Sequence, residues 1–322
     1  MKKNQQGTTL VELMISLLLG LLVAGLAIQL FFHVRHGQSA QQASSYFQES
    51  VRHVIYRLGP LLRNAGYRGC GASGRVTVAG ELHGSVFDMT APFGGGAANY
   101  RGHSYWALRF VVPDKLGAEV TLAETMNPSK DALVIGGFTD SGHVSDVVSA
   151  LNVTKVALVT NCDSADVFRL ASIAPEDVSD RNLHLVAGEA LSRIYGGNSG
   201  AMASSYIYPL RRWELRLRDQ AGGAGRPALF LVNLDAPSGM KYVELVSGVE
   251  DYVVTVSLDT DGDGQPDTLN QAPASLSVAS WPEVVRVELS FSLYSQPGVV
   301  PGGSNEGRLR REFQFAFSPR NL

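Results

Sequence analysis

Residues Thr8 to Phe32 form an apolar run with one acidic exception, Glu12. Before it stands the short polar stretch 1–7, MKKNQQG, with Lys2 and Lys3. About 25 residues at about 1.5 Å rise make a helix of about 37 Å, enough to cross a hydrocarbon core of about 30 Å. Lysines on the short side put the N-terminus in the cytoplasm by the positive-inside rule, and the bulk of the chain on the far side. A secretory signal peptide fits poorly. Its apolar stretch spans about 7–15 residues and ends at small residues, whereas Gly20, Ala24, Gly25 and Ala27 sit inside this run. A plain single-pass anchor explains the length but leaves Glu12 without a reason. A carboxylate in a membrane helix costs about 2.5–3.5 kcal/mol on insertion scales, so it normally has a partner.

The run Gly7-Thr8-Thr9-Leu10-Val11-Glu12-Leu13 resembles the type IV prepilin signature, a glycine followed by an apolar stretch with Glu five residues on. The resemblance implies cutting by a prepilin peptidase between Gly7 and Thr8 and methylation of the new Thr8 amine. Most members have Phe where this chain has Thr8. It further implies that Glu12 pairs with the N-terminal amine of a neighbouring subunit, setting the axial register of assembly. The small-xxx-small pair Gly20 and Ala24 would let helices approach, but such spacings are common in lone membrane helices too.

Beyond Phe32 the pattern becomes one-sided. Phe47, Val51, Val54, Ile55, Leu58, Leu61 and Leu62 recur at spacings of three and four, with Gln41, Gln42, Glu49, Arg52 and Arg57 between them. This predicts an amphipathic continuation of the same helix. Gly37 can bend it and Gly59-Pro60 can kink it. From Tyr67 onward β-prone runs dominate: Trp106–Val112, Ala132–Phe138 and Lys155–Thr160. Later runs alternate. Trp213, Leu215 and Leu217 oppose Arg212, Glu214, Arg216 and Arg218; Val285 to Leu293 and Leu309 to Phe317 behave likewise. Period two predicts antiparallel sheet with one buried face. Gly94–Asn99, Gly196–Gly200, Ala221–Gly225 and Pro297–Glu306 read as loops.

Three further stretches narrow the resemblance: Asn64-Ala65-Gly66-Tyr67-Arg68-Gly69-Cys70, Asn161-Cys162-Asp163-Ser164-Ala165-Asp166-Val167-Phe168, and Glu244 to Asp251 followed by Asp259-Thr260-Asp261-Gly262-Asp263-Gly264. Together these resemble the PilW family of minor type IV pilins over most of the chain, with gaps around residues 85–130. The resemblance implies an α+β, pilin-like fold: a long N-terminal helix, membrane-spanning in its first half, packed on a large antiparallel β-rich domain. The expected division is leader 1–7, membrane and assembly helix 8–32, amphipathic continuation 33–66, and β-rich domain 67–322. The implied role is a structural subunit of the complex that primes pilus assembly, supporting twitching motility and adhesion. Implied partners are other minor pilins, the major pilin, a tip adhesin, the prepilin peptidase, the inner-membrane assembly platform and membrane lipid. The expected location is the inner membrane with the globular domain periplasmic, then the pilus. A type II secretion minor pseudopilin is the rival of similar shape, although such chains are usually shorter.

Asp259, Asp261, Asp263 and Asp267 are the metal-like residues. Carboxylates at alternate positions followed by glycine at the sixth match the start of an EF-hand-type calcium loop. The twelfth position is Asn270, so the usual bidentate Glu is missing, and Pro266 opposes a following helix. A calcium site and a plain acidic turn both remain open. No cofactor is required by the sequence. Cys70 and Cys162 are the two cysteines; outside the membrane a pair reads as a disulfide, in the cytosol as separate thiols. The seven histidines are scattered, and no Gly-x-Ser-x-Gly, His-Glu-x-x-His or phosphate loop occurs, so no enzyme is predicted; a membrane-anchored periplasmic enzyme is the alternative from another class. A net charge of −3 without a basic run gives no footprint for nucleic acid.

Overall fold

The computed structural model describes residues 10–69, 75–82, 85, 87–114, 120–126, 132–136, 138, 141–161, 163–175, 182–197, 204–220, 225–236, 241–299 and 307–319. They form an α+β structure: a 55-residue helix α1 (Leu10–Asn64), a second helix α2 (Ser141–Thr154) and fifteen strands among the described residues. The chain divides into two units. One holds residues up to Glu49 together with Tyr294–Arg311; the other holds Ser50–Leu293 and Glu312–Leu322.

In the first unit α1 is exposed on every side from Leu10 to Gln38, and burial begins with Ala43 and Phe47. Between residues 294 and 311 the backbone is clasped locally. The Ser295 N–H donates to the Leu309 carbonyl, and the Leu309 N–H donates to Ser295 Oγ at 2.8 Å.

In the second unit α1 continues through Pro60 without a break. Ser50, Val54, Leu58, Leu62 and Ala65 are its buried positions. Their spacing of three and four is the helical repeat, so one stripe meets the core. Ile55, expected on that stripe, is 40% exposed, and Tyr56 beside it is 75% exposed. Ile55 lies about 20° round the helix from Leu62, at the margin of the buried stripe rather than at its centre. Gly66 ends the helix with φ 71°, a left-handed conformation natural to glycine. Its N–H donates to the Val111 carbonyl.

The strands are β1 (Arg75–Val78), β2 (Phe93–Tyr100), β3 (His103–Pro113), β4 (Val120–Leu122), β5 (Ala132–Gly136), β6 (Val156–Thr160), β7 (Ser164–Pro175), β8 (Leu183–Ala187), β9 (Tyr206–Asp219), β10 (Pro227–Asn233), β11 (Lys241–Ser247), β12 (Val249–Leu258), β13 (Thr268–Gln271), β14 (Val284–Tyr294) and β15 (Arg310–Phe317). Eleven belong to one sheet; β13, β12, β14 and β15 form the other in that order. Within the larger sheet six strands close on themselves. β6 pairs with β7, β7 with β8, β8 with β5, β5 with β4, β4 with β9, and β9 back with β6, all antiparallel. The result is a small barrel. Its inward residues, including Val159, Phe168, Leu185 and Ile207, cluster with Val147 and Leu151 of α2. Alternate residues Leu158, Val167, Tyr208 and Leu210 face outward and pack with Leu82, Phe87, Met89 and Val111. Every strand at this junction is therefore buried on both faces.

Beyond the barrel, β9 runs on between β3 and β10. Tyr252 of β12 ties the second sheet to it, its hydroxyl lying 2.9 Å from both the Trp106 and Leu215 carbonyl oxygens. Phe317 of β15 reaches α1, with its ring 3.5 Å from where a Cβ on Gly59 would stand.

Three expectations change. Gly94–Asn99, read as a loop, lies in β2, paired in register with β3. A Cβ on Gly95 would stand 2.1 Å from the Ala107 carbonyl oxygen at φ 146°, so glycine is what permits this pairing. Helix α2 had no counterpart in the sequence reading. The polar face of β9 is not a solvated one. Glu214 is 2% exposed, held by Arg109 at 2.6 and 3.0 Å and by Arg216. Asp235, also buried, accepts from the Arg212 backbone N–H at 2.7 Å and from its guanidinium.

The buried stripe of α1 gives a direct expectation. Leu58→Ala should destabilise the folded domain by about 2–5 kcal/mol, and Tyr56→Ala by less than about 0.5 kcal/mol. Urea unfolding of the full chain in detergent, followed by tryptophan fluorescence, measures both.

Candidate functional site

Two regions carry the chemistry read from the sequence. The first is the start of α1. Gly7 and Thr8 lie outside the described residues. Glu12 is in the first turn of the helix and is exposed. Around it Leu10, Val11, Leu13, Met14 and Ile15 are each more than half exposed. The segment qualifies by length and apolarity as a membrane span, with none of its most apolar window buried. Exposed apolar surface of this extent marks an interaction site.

The second region is the loop between β12 and β13. Asp259, Asp261 and Asp267 converge, with one carboxylate oxygen from each lying within 4.8 Å of the others. Asp263 stands outside this group, and its carboxylate accepts the Gln265 N–H at 2.7 Å. The loop is built by its own side chains. Asp259 accepts the Gly262 and Gly264 N–H groups, both at 2.7 Å. Asp267 accepts the Thr260 N–H at 2.8 Å and its hydroxyl at 2.7 Å. Gly262 and Gly264 take φ of 80° and 84°, the left-handed turns that let the loop fold back on its aspartates.

The electrostatics divide the three carboxylates. The two Thr260 hydrogen bonds hold the Asp267 carboxyl below the usual range. Its ionised form thus favours the folded loop above the ordinary carboxylate range, and that contribution is lost on acidification. Asp261 is displaced upward. The Asp263 N–H lowers it, but desolvation and the Asp263, Asp267 and Asp259 charges together outweigh that bond. Its ionisation disfavours the folded loop as pH rises, and a cation would relieve that repulsion.

Cys70 and Cys162 lie outside the described residues. Their neighbours are placed. The Thr160 hydroxyl donates to the Arg68 carbonyl at 2.5 Å. A Cβ on Gly69 would stand 3.3 Å from the Asn161 carbonyl oxygen. Further on, Arg75 is paired with Ser164 in the parallel ladder of β1 and β7. The pairing of β1 with β7 has no signal in the local sequence, because it joins residues far apart in the chain.

Residues 2–28 match the family profile described as the prokaryotic N-terminal methylation motif. Gly7, Thr8 and Glu12 all fall within the matched stretch. No curated protein matches the chain significantly. Among solved structures, the Type IV-like pilin TTHA1219 from Thermus thermophilus is similar at 15% identity, with a TM-score of 0.19, over 58% of this chain and 99% of that one. At that TM-score the likeness carries no argument about the fold.

Proposed function

We propose that this chain is a minor pilin of a type IV pilus, a structural subunit that primes assembly rather than an enzyme. One observation carries the reading. Residues 10–28 of the methylation motif lie on a helix that is exposed throughout and largely apolar from Leu10 to Val34, and whose later turns are buried in a β-rich domain. A segment of that kind serves as a membrane anchor before assembly and as a helix for packing with other subunits afterwards. The prepilin peptidase cuts after Gly7 and methylates Thr8. The β-rich domain is periplasmic and later belongs to the pilus. Other minor pilins, the major pilin and a tip adhesin are its partners, in keeping with the PilW-like stretches of the sequence. Glu12 pairs with the Thr8 amine of a neighbour.

Mass spectrometry of membrane-extracted protein should show a methylated Thr8 terminus; an intact Met1 terminus in piliated cells would refute the processing. Glu12→Val removes a charge from the membrane helix, so it should insert at least as well as the native chain. Surface pili should nevertheless become rare, since a priming subunit acts at initiation. Normal piliation at normal Glu12→Val protein levels would sink the assembly role.

Cys70 and Cys162 form a disulfide in this reading, joining the segment after α1 to the β6–β7 turn. Support comes from the flanking residues, since Gly69 lies against Asn161 and Arg75 pairs with Ser164. Thiol labelling of denatured, non-reduced protein should find no free thiol. Two free thiols per chain would exclude the bond.

Calcium is the ion proposed for the loop between β12 and β13, held by Asp259, Asp261 and Asp267. Their convergence and the raised Asp261 carboxyl support it. Calorimetry should show binding in the millimolar range or tighter, the weak end for extracellular sites. Asp261→Ala should abolish it and Asp263→Ala should spare most of it. Affinity should fall on acidification, as protons compete for Asp261. No heat of binding at millimolar calcium would leave a plain acidic turn.

A further inference from the structure

From Leu13 to Gln48 the sequence holds one permanently charged side chain, Arg35, with His33 and His36 on either side of it. All three lie on α1 and are exposed. They stand where the exposed apolar run ends. Val34 is the last large apolar residue in it, 52% exposed, and Gly37, Gln38, Ser39 and Ala40 follow without charge. The next charged residue along the helix is Glu49, about 21 Å further on at helical rise. Successive residues turn by about 100°, so His33 and His36 share one flank and Arg35 lies on another. The turn therefore presents nitrogen donors around much of the helix circumference.

Glu12 and Arg35 are about 35 Å apart along the helix axis, a little more than the hydrocarbon thickness of about 30 Å. With Glu12 at one membrane face, Arg35 falls in the headgroup region of the other. Its aliphatic stem can lie along acyl chains while the guanidinium reaches outward. The group it meets there is a phosphate, which a guanidinium binds through two parallel hydrogen bonds.

We propose that the exposed turn His33-Val34-Arg35-His36 is a binding site for the phosphate of an anionic phospholipid headgroup in the leaflet opposite the N-terminus. The site rests on the reading of α1 as a membrane-spanning helix. It gives the helix a fixed depth before assembly, and leaving the bilayer requires giving up this contact. Removal of the leader takes away Lys2 and Lys3, after which Arg35 is the basic side chain that still engages lipid on either side of the span.

Electron spin resonance of the full chain in phosphatidylcholine bilayers tests this, using trace spin-labelled phosphatidylglycerol or spin-labelled phosphatidylcholine. The native chain should bind the anionic lipid about fivefold more strongly than the neutral one, the effect of one basic residue near a membrane surface. Arg35→Lys should keep most of the preference. Arg35→Gln should cut the preference severalfold, leaving only what Lys2 and Lys3 contribute, and 1 M salt, where the screening length is about 3 Å, should bring the ratio to about one. Retention of the same samples after an alkaline wash reports membrane spanning independently of headgroup. Retention with equal binding of the two lipids, or a preference unchanged in Arg35→Gln, overturns the headgroup site and leaves the spanning helix standing. Loss of the native chain from neutral bilayers on washing overturns the spanning reading and this site with it.

Discussion

Everything in this molecule depends on one helix satisfying two environments along a single axis. Leu10 to Val34 expose apolar side chains on all sides. Ser50 to Ala65 bury a single stripe and turn polar residues outward. Hydrogen bonding within the helix makes the change possible, since no backbone group is left bare in lipid or in the core. The first half cannot be stable alone in water. The second half cannot be moved without disturbing the sheets, because Leu58, Leu62 and the ring of Phe317 against Gly59 fix its position.

What was legible in the sequence follows from periodicity. The helix and its change of character were readable from spacing, because an apolar run and a three-four repeat are local signals. Strands β3, β5, β6, β9, β14 and β15 were readable as β-prone or alternating runs. The barrel was not, since its closure depends on β9 meeting both β4 and β6, strands that lie far before it in the chain. Glu214 shows the limit of alternation. Its place opposite Leu215 reads as a solvent face, yet two arginines supply hydrogen bonds that let a carboxylate be buried. β2 was lost for a different reason: three glycines signal a turn unless the neighbouring strand presses so close that no side chain fits.

For the functional residues, local motifs named the candidates and the fold selected among them. Asp259, Asp261, Asp263 and Asp267 are equivalent by spacing, but backbone geometry directs Asp263 to the Gln265 N–H and leaves the other three together. The N-terminal motif was legible because it is a local pattern of adjacent residues, and the profile match over residues 2–28 covers the same stretch. Arg35 drew no attention in the sequence reading. A single arginine carries no pattern, and its position becomes meaningful only beside the end of an exposed apolar helix.

The closed ring of β4 to β9 has a mechanical consequence. In an open sheet an outer strand can peel away by breaking its hydrogen bonds one at a time. In a ring each strand is held on both sides, and Val159, Phe168 and Ile207 lock the lumen against α2. The segment after α1 touches this ring where the Thr160 hydroxyl donates to the Arg68 carbonyl. Taking any one strand out of the ring therefore breaks two ladders at once rather than one.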